Sequence, residues 1–364
     1  MNKKTKVIPI FIPHEGCPHD CIFCNQKKIS GTIKAPNKND TEKLIIDSLN
    51  TIDKDKYNVI LAFYGGSFTA IDAKKQIEYL QIANYYKDQN LVDEVRISTR
   101  PDYMLDKHVQ LIKEYKVDHV ELGIQSTNED VLNNTKRFYT IKNIHLAVEN
   151  LKKHGIDYGF QIMVGLPGDN KYNLIATCFD LDKLKPKTIR IYPTLVIKDT
   201  ELQKMYNENC YKPLTLDEAI EYSMIPYIIF DNSNYNILRV GLHPSESLLY
   251  ENSVIAGPFH SAFGELVQSR IYWHMLKMTI NNNNLSNKSL IICANPSKFS
   301  KISGNKQENR IKLNKLFSIT YKFENNYLLK NDIIIKHESE SFVVSKEKFY
   351  NKQIEYYKDF LNNS

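Results

Sequence analysis

Val7-Ile8-Pro9-Ile10-Phe11-Ile12-Pro13 runs directly into His14-Glu15-Gly16-Cys17-Pro18-His19-Asp20-Cys21-Ile22-Phe23-Cys24-Asn25, and the fold of the whole chain is read outward from this junction. The first segment is β-branched and aromatic, as a buried strand is. The second packs three cysteines into eight positions with the spacing CxxxCxxC and an aromatic residue just before the third. A strand that ends in a thiol-rich loop is what a parallel α/β sheet offers at its carboxyl edge, where such folds keep their chemistry. The basic stretch ahead of the strand superficially resembles a secretory leader. The apolar run is short, however, holds two prolines, and leads to cysteines rather than to a small-residue cleavage site.

Two kinds of metal centre suit the loop. Three thiolates can each ligate one iron of a cubane, leaving the fourth iron open to a small molecule. The same cysteines with His14 or His19 as fourth ligand would close a tetrahedral zinc site. Zinc modules usually replace the core of a small domain, whereas a large α/β pattern follows here, and this favours Cys17, Cys21 and Cys24 as ligands of a [4Fe-4S] cluster. Cys178, Cys210 and Cys293 lie far apart, a distribution unlike a secreted disulfide framework.

Beyond the loop, β-rich runs at 7–13, 59–64, 94–99, 119–124, 158–164, 188–195 and, more weakly, 237–241 alternate with helical patterns such as 41–52 and 73–86. Repeated βα units imply a parallel sheet. The fold class read from this is α/β: a partial (β/α)6-type barrel with a small α+β C-terminal region. Gly257-Pro258 breaks the pattern, and the chain divides on this reading into a core of 1–255 and a region of 256–364. The latter is expected to hold a helix over 302–317, two or three antiparallel strands within 319–344 with an Asn325-Asn326 turn, and a closing helix over 346–361. No stretch approaches the roughly 20 apolar residues that span a bilayer, so a soluble, cytoplasmic protein without membrane association is expected. A net charge of +6 on 364 residues decides little about partners.

Unusual residues recur at successive strand ends. Gly65-Gly66-Ser67 follows the second strand, and paired glycines let another chain or a ligand approach the backbone closely. Arg100 follows the third, its planar fork suited to a carboxylate, although a simple ion pair with Asp102 would also explain it. Glu121 and Gly123 share one face of the fourth strand, which ends in Gln125 and Ser126. Gln161, Met163 and Gly165 mark the fifth, and Arg190 and Tyr192 face one way on the sixth.

In motif order, spacing and strand placement, residues 6–245 resemble the radical S-adenosylmethionine (SAM) superfamily. The resemblance implies that SAM chelates the open iron, and that an electron from a reductant such as flavodoxin or ferredoxin cleaves it to methionine and a 5′-deoxyadenosyl radical. It also implies contacts: Gly65, Gly66 and Ser67 with the methionyl amino group, Arg100, Gln125 and Ser126 with polar groups of SAM, and Gln161, Met163 and Gly165 with adenine. Ser67 departs from the acidic residue usual at that position. Ser98-Thr99-Arg100-Pro101-Asp102, Gly123-Ile124-Gln125-Ser126 and Arg190-Ile191-Tyr192-Pro193-Thr194-Leu195-Val196-Ile197 are similar to the radical SAM domain of the Elongator catalytic subunit, which modifies the wobble uridine of transfer RNA. The cluster loop is shorter than Elongator's and no acetyltransferase domain is recognisable, so acetyl transfer is not expected. Standalone bacterial proteins of Elongator type, labelled as relatives of oxygen-independent coproporphyrinogen oxidase, share this layout.

Three functions compete. RNA modification, with tRNA as candidate partner, draws on the Elongator-like core and on Lys298, Lys301, Lys306, Arg310, Lys312 and Lys315, a density of cations able to follow a phosphate backbone. Radical chemistry on a small molecule such as a porphyrin-type precursor would use 241–246 and 257–265 to close a pocket. A non-catalytic iron-sulfur or zinc protein is the third. No catalytic residue, substrate or oligomeric state is read from the sequence.

Overall fold

β1 (Lys4–Ile12) buries Ile8, Ile10 and Ile12 on one face while Pro9 is tolerated because the strand lies at a sheet edge, where a missing backbone donor breaks no second ladder. The computed structural model describes residues 3–18, 20–242 and 253–363. β2 (Tyr57–Gly65), β3 (Glu94–Thr99), β4 (His119–Gln125), β5 (Asp157–Val164) and β6 (Thr188–Pro193) follow, each parallel to the one before. β7 (Val196–Ile197) leaves the sheet to pair antiparallel with β9 (Val254–Ala256), and β8 (Asn236–Val240) closes the far edge beside β6. The result is a seven-stranded sheet curled into a half-barrel, with the carboxyl ends of all strands at one rim. The weakest of the strand expectations, 237–241, is realised as β8.

Helices cover the outer face because their apolar sides match the buried faces of the strands. Ala73–Asp88 buries Tyr79, Leu80, Ile82 and Ala83, and Leu216–Asn232 buries Ile225, Ile228 and Ile229. Lys38–Leu49 starts earlier than its periodicity suggests: Asn37 is the cap, accepting from the backbone N–H of Asp40 at 2.9 Å. Among the described residues no helix is long and apolar enough to cross a membrane.

The C-terminal region differs from expectation in its pairing. β10 (Ser289–Ala294), a short apolar run without a readable period, lies at the centre of a second sheet of order β11-β10-β12-β13. β11 (Thr320–Asn325) runs parallel to it, while β12 (Ile333–His337) and β13 (Glu340–Val344) form an antiparallel hairpin. Asn326 therefore closes onto Ala294, through its N–H at 2.9 Å, rather than turning β11 back on itself. The helix expected over 302–317 breaks at Gly304, whose φ of +84° suits glycine, into Phe299–Ser303 and Glu308–Phe317. The closing helix is Lys346–Asn362. One apolar core runs from Ile8 through Phe263 and Leu276 to Ile335 and Tyr357, so the second sheet packs on the half-barrel through the helix Phe263–Asn282.

Candidate functional site

Beyond β1 the chain turns through His14 and Gly16, both at positive φ, and presents Cys17, Cys21 and Cys24 at the rim. The turn interlocks with the end of β2. A Cβ on Gly66 would stand 1.9 Å from the Glu15 carbonyl oxygen, and one on Gly16 2.3 Å from that of Ser67. Ser67 donates its N–H to Glu15 at 2.9 Å. The paired glycines are thus required for backbone packing on the cysteine loop. Gln26 is the second clasp: its Oε1 accepts from the N–H of Gly66 at 2.7 Å and from that of His14, while its Nε2 lies 4.0 Å from the Cys17 sulfur. His14 returns the contact by accepting the Gln26 N–H on Nε2 at 3.0 Å, which occupies that nitrogen. His19, the other imidazole considered for zinc, lies outside the described residues.

From the far side, Asn25 donates to the Lys198 carbonyl at 3.0 Å, and Leu202 donates its N–H to Ile22 at 2.8 Å. A cavity of about 450 Å³ opens between these segments, lined by Cys21, Cys24, His14, Asp199 and Glu201 among others. Among the described residues no three His, Cys, Asp or Glu side chains gather around a single ion position. A cubane instead takes each thiolate on a different iron. Burial pushes the Cys17 thiol up to about 11, with the Cys21 sulfur adding to the shift, while Arg137 and Arg100 pull the other way. Burial and both neighbouring sulfurs raise Cys24 as well, against Arg137. Cys17 and Cys24 therefore hold their protons until a cation replaces them.

The strand-end residues take separate roles. Ser67 is fully buried; its hydroxyl meets that of Thr99 at 2.8 Å, and Thr99 meets Thr69 at 2.7 Å, tying the ends of β2 and β3 together. Arg100, 4% exposed, binds Asp102 through two hydrogen bonds of 2.9 and 2.8 Å and stacks over Tyr139. The ion pair that its sequence position suggested is present, yet Arg100 Nη1 is buried without a partner. Gln125 sits at a bulge where β4 slips against β5, with φ of +68°, and its Oε1 accepts from Gln161 at 3.2 Å. The next residue, Ser126, turns elsewhere: its hydroxyl meets Thr177 on the helix Lys171–Lys183 at 3.3 Å. Met163 packs with Leu166 and Val131 against Phe23 of the cysteine loop and Tyr192 of β6. Gly165, at φ +79°, accepts from the Tyr211 hydroxyl at 2.7 Å.

The sequence places Glu121 and Arg190 on single faces of their strands but does not pair them, and it does not single out Tyr64. Tyr64, Glu121 and Arg190, from β2, β4 and β6, form one network across the barrel interior: Arg190 grips both carboxylate oxygens, and the Tyr64 hydroxyl donates to Glu121 Oε1 at 3.1 Å and accepts from Arg190 Nη2 at 2.9 Å. Burial opposes the Glu121 charge, but bonding to Arg190 outweighs it and holds the carboxyl below its usual range. At the rim, Arg137 Nη1 donates to the Cys21 sulfur at 3.3 Å and its Nε to the Tyr139 hydroxyl at 3.1 Å. Gln26 and Arg137 had no sequence signal, since Gln26 opens a helix of only five residues and Arg137 lies in a short irregular stretch, neither long enough to show a period.

A family model described as the radical SAM superfamily matches residues 11–181, and one described as the radical SAM C-terminal domain matches 186–272. The chain belongs to the radical SAM superfamily and is an enzyme of that type. Within it, the chain is similar to the tRNA uridine(34) acetyltransferase of Methanocaldococcus jannaschii, 26% identical over 254 residues that cover 59% of this chain and 47% of that protein. It is also similar to human Elongator complex protein 3, 28% identical over 130 residues, covering 35% and 24%. The chain thus spans about half the length of the first of these relatives, and less of the second. In fold it is similar to the Elp3 of Methanocaldococcus infernus lacking its first 46 residues, with a TM-score of 0.57, 21% identity, and coverage of 76% and 64%.

Proposed function

We propose that Cys17, Cys21 and Cys24 hold a [4Fe-4S] cluster, that SAM binds the iron they leave open, and that the reaction modifies tRNA. The observation that carries this reading is the cysteine loop itself: three thiols on one short loop, two of them lining a cavity, with Gln26 and Arg137 aimed at two of the sulfurs and a buried Arg100 nitrogen still lacking an acceptor. That donor set fits a cubane, which needs thiolates and tolerates hydrogen bonds to its sulfurs. When bound, the cluster supplies the electron that cleaves SAM to methionine and a 5′-deoxyadenosyl radical, which takes a hydrogen atom from the substrate.

The protein's own share is binding and orientation. The N–H groups of Gly66 and Ser67 are engaged with Gln26 and Glu15, so this segment would meet the SAM amino group through its carbonyl oxygens. Arg100 Nη1 would take the SAM carboxylate. Gln125 and Gln161, held together, would face the ribose, and Met163 with Gly165 would line the adenine side. Ser126 fits less well, because its hydroxyl is turned to Thr177. Residues 1–255 would carry this chemistry and 256–364 cover the substrate, in a cytoplasmic protein served by a flavodoxin- or ferredoxin-type reductant.

The tRNA assignment draws on the relatives, one of them a tRNA uridine(34) acetyltransferase. The basic stretch lends it less than its composition promised: Lys301 donates to Gln268, Arg310 to the Tyr321 carbonyl, and Lys312 pairs with Glu308. The test is anaerobic reconstitution followed by reduction with SAM, and nucleoside mass spectrometry of tRNA from cells with and without the gene. About four irons per chain, formation of 5′-deoxyadenosine and an altered nucleoside are expected. A metabolite difference with unchanged tRNA would transfer the reading to a small-molecule substrate, and an iron-loaded protein that never cleaves SAM would end it.

A further inference from the structure

We infer that Arg137 is the fixed counter-charge of the cysteine loop and raises the reduction potential of the centre bound there. This rests on the proposal that Cys17, Cys21 and Cys24 hold a [4Fe-4S] cluster. The starting point is a charge that the described protein does not balance. Arg137 is 6% exposed, and among the described residues it forms no ion pair with a carboxylate. Its Nε meets the Tyr139 hydroxyl, its Nη2 the Gly123 carbonyl, and its guanidinium lies 5.2 Å from the Tyr139 ring centre. Every one of those partners is neutral. The remaining nitrogen, Nη1, points at Cys21 Sγ, 3.3 Å away.

A buried carboxylic acid in such a position can keep its proton, but a guanidinium cannot shed one. An uncompensated buried cation is strongly unfavourable, so the site is built for an anion on the sulfur side. The backbone around it supports the same conclusion. Lys136 and Phe138, the two neighbours of Arg137, both take positive φ, of 57° and 51°. Bulky residues rarely adopt that conformation, and two in succession around one side chain mark a segment shaped to aim it. Tyr139 is fixed in turn by hydrogen bonds to the carbonyls of Gly123 and Ile124. The guanidinium is therefore pinned on the end of β4 and on the following loop, and acts on the cluster through Cys21 as a positioning residue.

One-electron reduction makes the centre one charge more negative without forming or breaking a bond. A cation held against a ligating sulfur favours the more negative state, and removing it makes reduction harder. Electron paramagnetic resonance during a redox titration of the anaerobically reconstituted full chain, without SAM, reads this directly. Dithionite is the reductant, and wild type is compared with Arg137→Gln and Arg137→Lys. Arg137→Gln is expected to keep its iron and sulfide while its reduction equilibrium weakens about tenfold, a fall of ~59 mV for one electron. Arg137→Lys, which retains the charge, is expected to recover most of that shift.

A four-iron Arg137→Gln protein with the wild-type midpoint overturns the inference. So does an equal shift in both variants, because geometry rather than charge would then be responsible. Should Arg137→Gln lose its iron, the lysine variant decides: iron held at a near-wild-type midpoint supports the counter-charge, and iron lost from both assigns Arg137 to the fold alone. Wild-type protein that takes up no cluster fails the preceding proposal instead.

Discussion

Two arginines, Arg137 buried and Arg190 largely so, mark the contrast between the barrel's rim and its interior. Arg190, within the barrel, is gripped by Glu121 and bridged by Tyr64, so the protein supplies the opposite charge itself. Arg137, at the rim, faces a thiol, a carbonyl and a phenol. Asp169 shows how an acid handles similar isolation: burial pushes its carboxyl up to about 7, and it can stay neutral by keeping a proton. Charge balanced within the chain belongs to architecture. Charge that is neither balanced nor able to neutralise itself points to a ligand.

The largest effects should come from the sulfurs. Cys17→Ala, Cys21→Ala or Cys24→Ala is expected to abolish cluster assembly, read as loss of iron and sulfide after anaerobic reconstitution, whereas Cys178→Ala, Cys210→Ala and Cys293→Ala should retain both. Tightly bound zinc without sulfide in strictly anaerobic protein would break the distinction between rim and interior, since the loop would then be structural too.

Next comes the interior pair. Glu121→Ala leaves the largely enclosed Arg190 without its carboxylate and should cost about 3–5 kcal/mol in chemical denaturation. Replacing both partners with apolar residues of similar volume, Glu121→Leu with Arg190→Met, should recover most of that loss. If the double variant is as unstable as the single one, the network does more than balance charge.

Gly66→Ala places a methyl group against the Glu15 carbonyl and should destabilise the loop by about 1–3 kcal/mol. Iron retention should fall along with the thermal midpoint, since the displaced backbone carries Cys17. Retained iron with weakened SAM binding alone would show instead that the glycine serves the ligand.

A purely pH-dependent effect concerns Asp169. Its folded-state pKa of about 7 lies above the ordinary aspartate value of 3.8, so its stabilising contribution is complete below pH 3.8 and is lost as pH rises through 7. Asp169→Asn should therefore be more stable than wild type above pH 7, with the gap closing toward pH 4. A gap that does not change with pH would remove the carboxyl from the account.

The legible parts of the molecule were those encoded locally. Six strands and the long helices carried apolar periods, and the cysteine spacing announced its loop. β10 was missed because six residues of an apolar run carry no period that separates strand from buried helix, and its parallel pairing with β11 depends on a connection through two helices. The glycines of β2 were legible as a close approach, but not what approaches: the Glu15 backbone meets Gly66 before any ligand does. In the basic stretch the limit is different, since composition counts charges and does not see that Lys301, Arg310 and Lys312 are engaged within the fold.

The sequence by itself determined the half-barrel, the order of its strands and the thiol loop at its rim, because β-branched runs, helical periods and a three-cysteine spacing are properties of neighbours along the chain. Only the tertiary structure decided which charges meet. Glu121 and Arg190 are separated by one strand and three helices, and Cys21 and Arg137 by three strands and the helices between them, so no local pattern couples them. The curl of the sheet brings each pair within hydrogen-bond reach, and burial then sets the consequence: a carboxylate facing one guanidinium makes a strut, and a thiol facing the other makes a site.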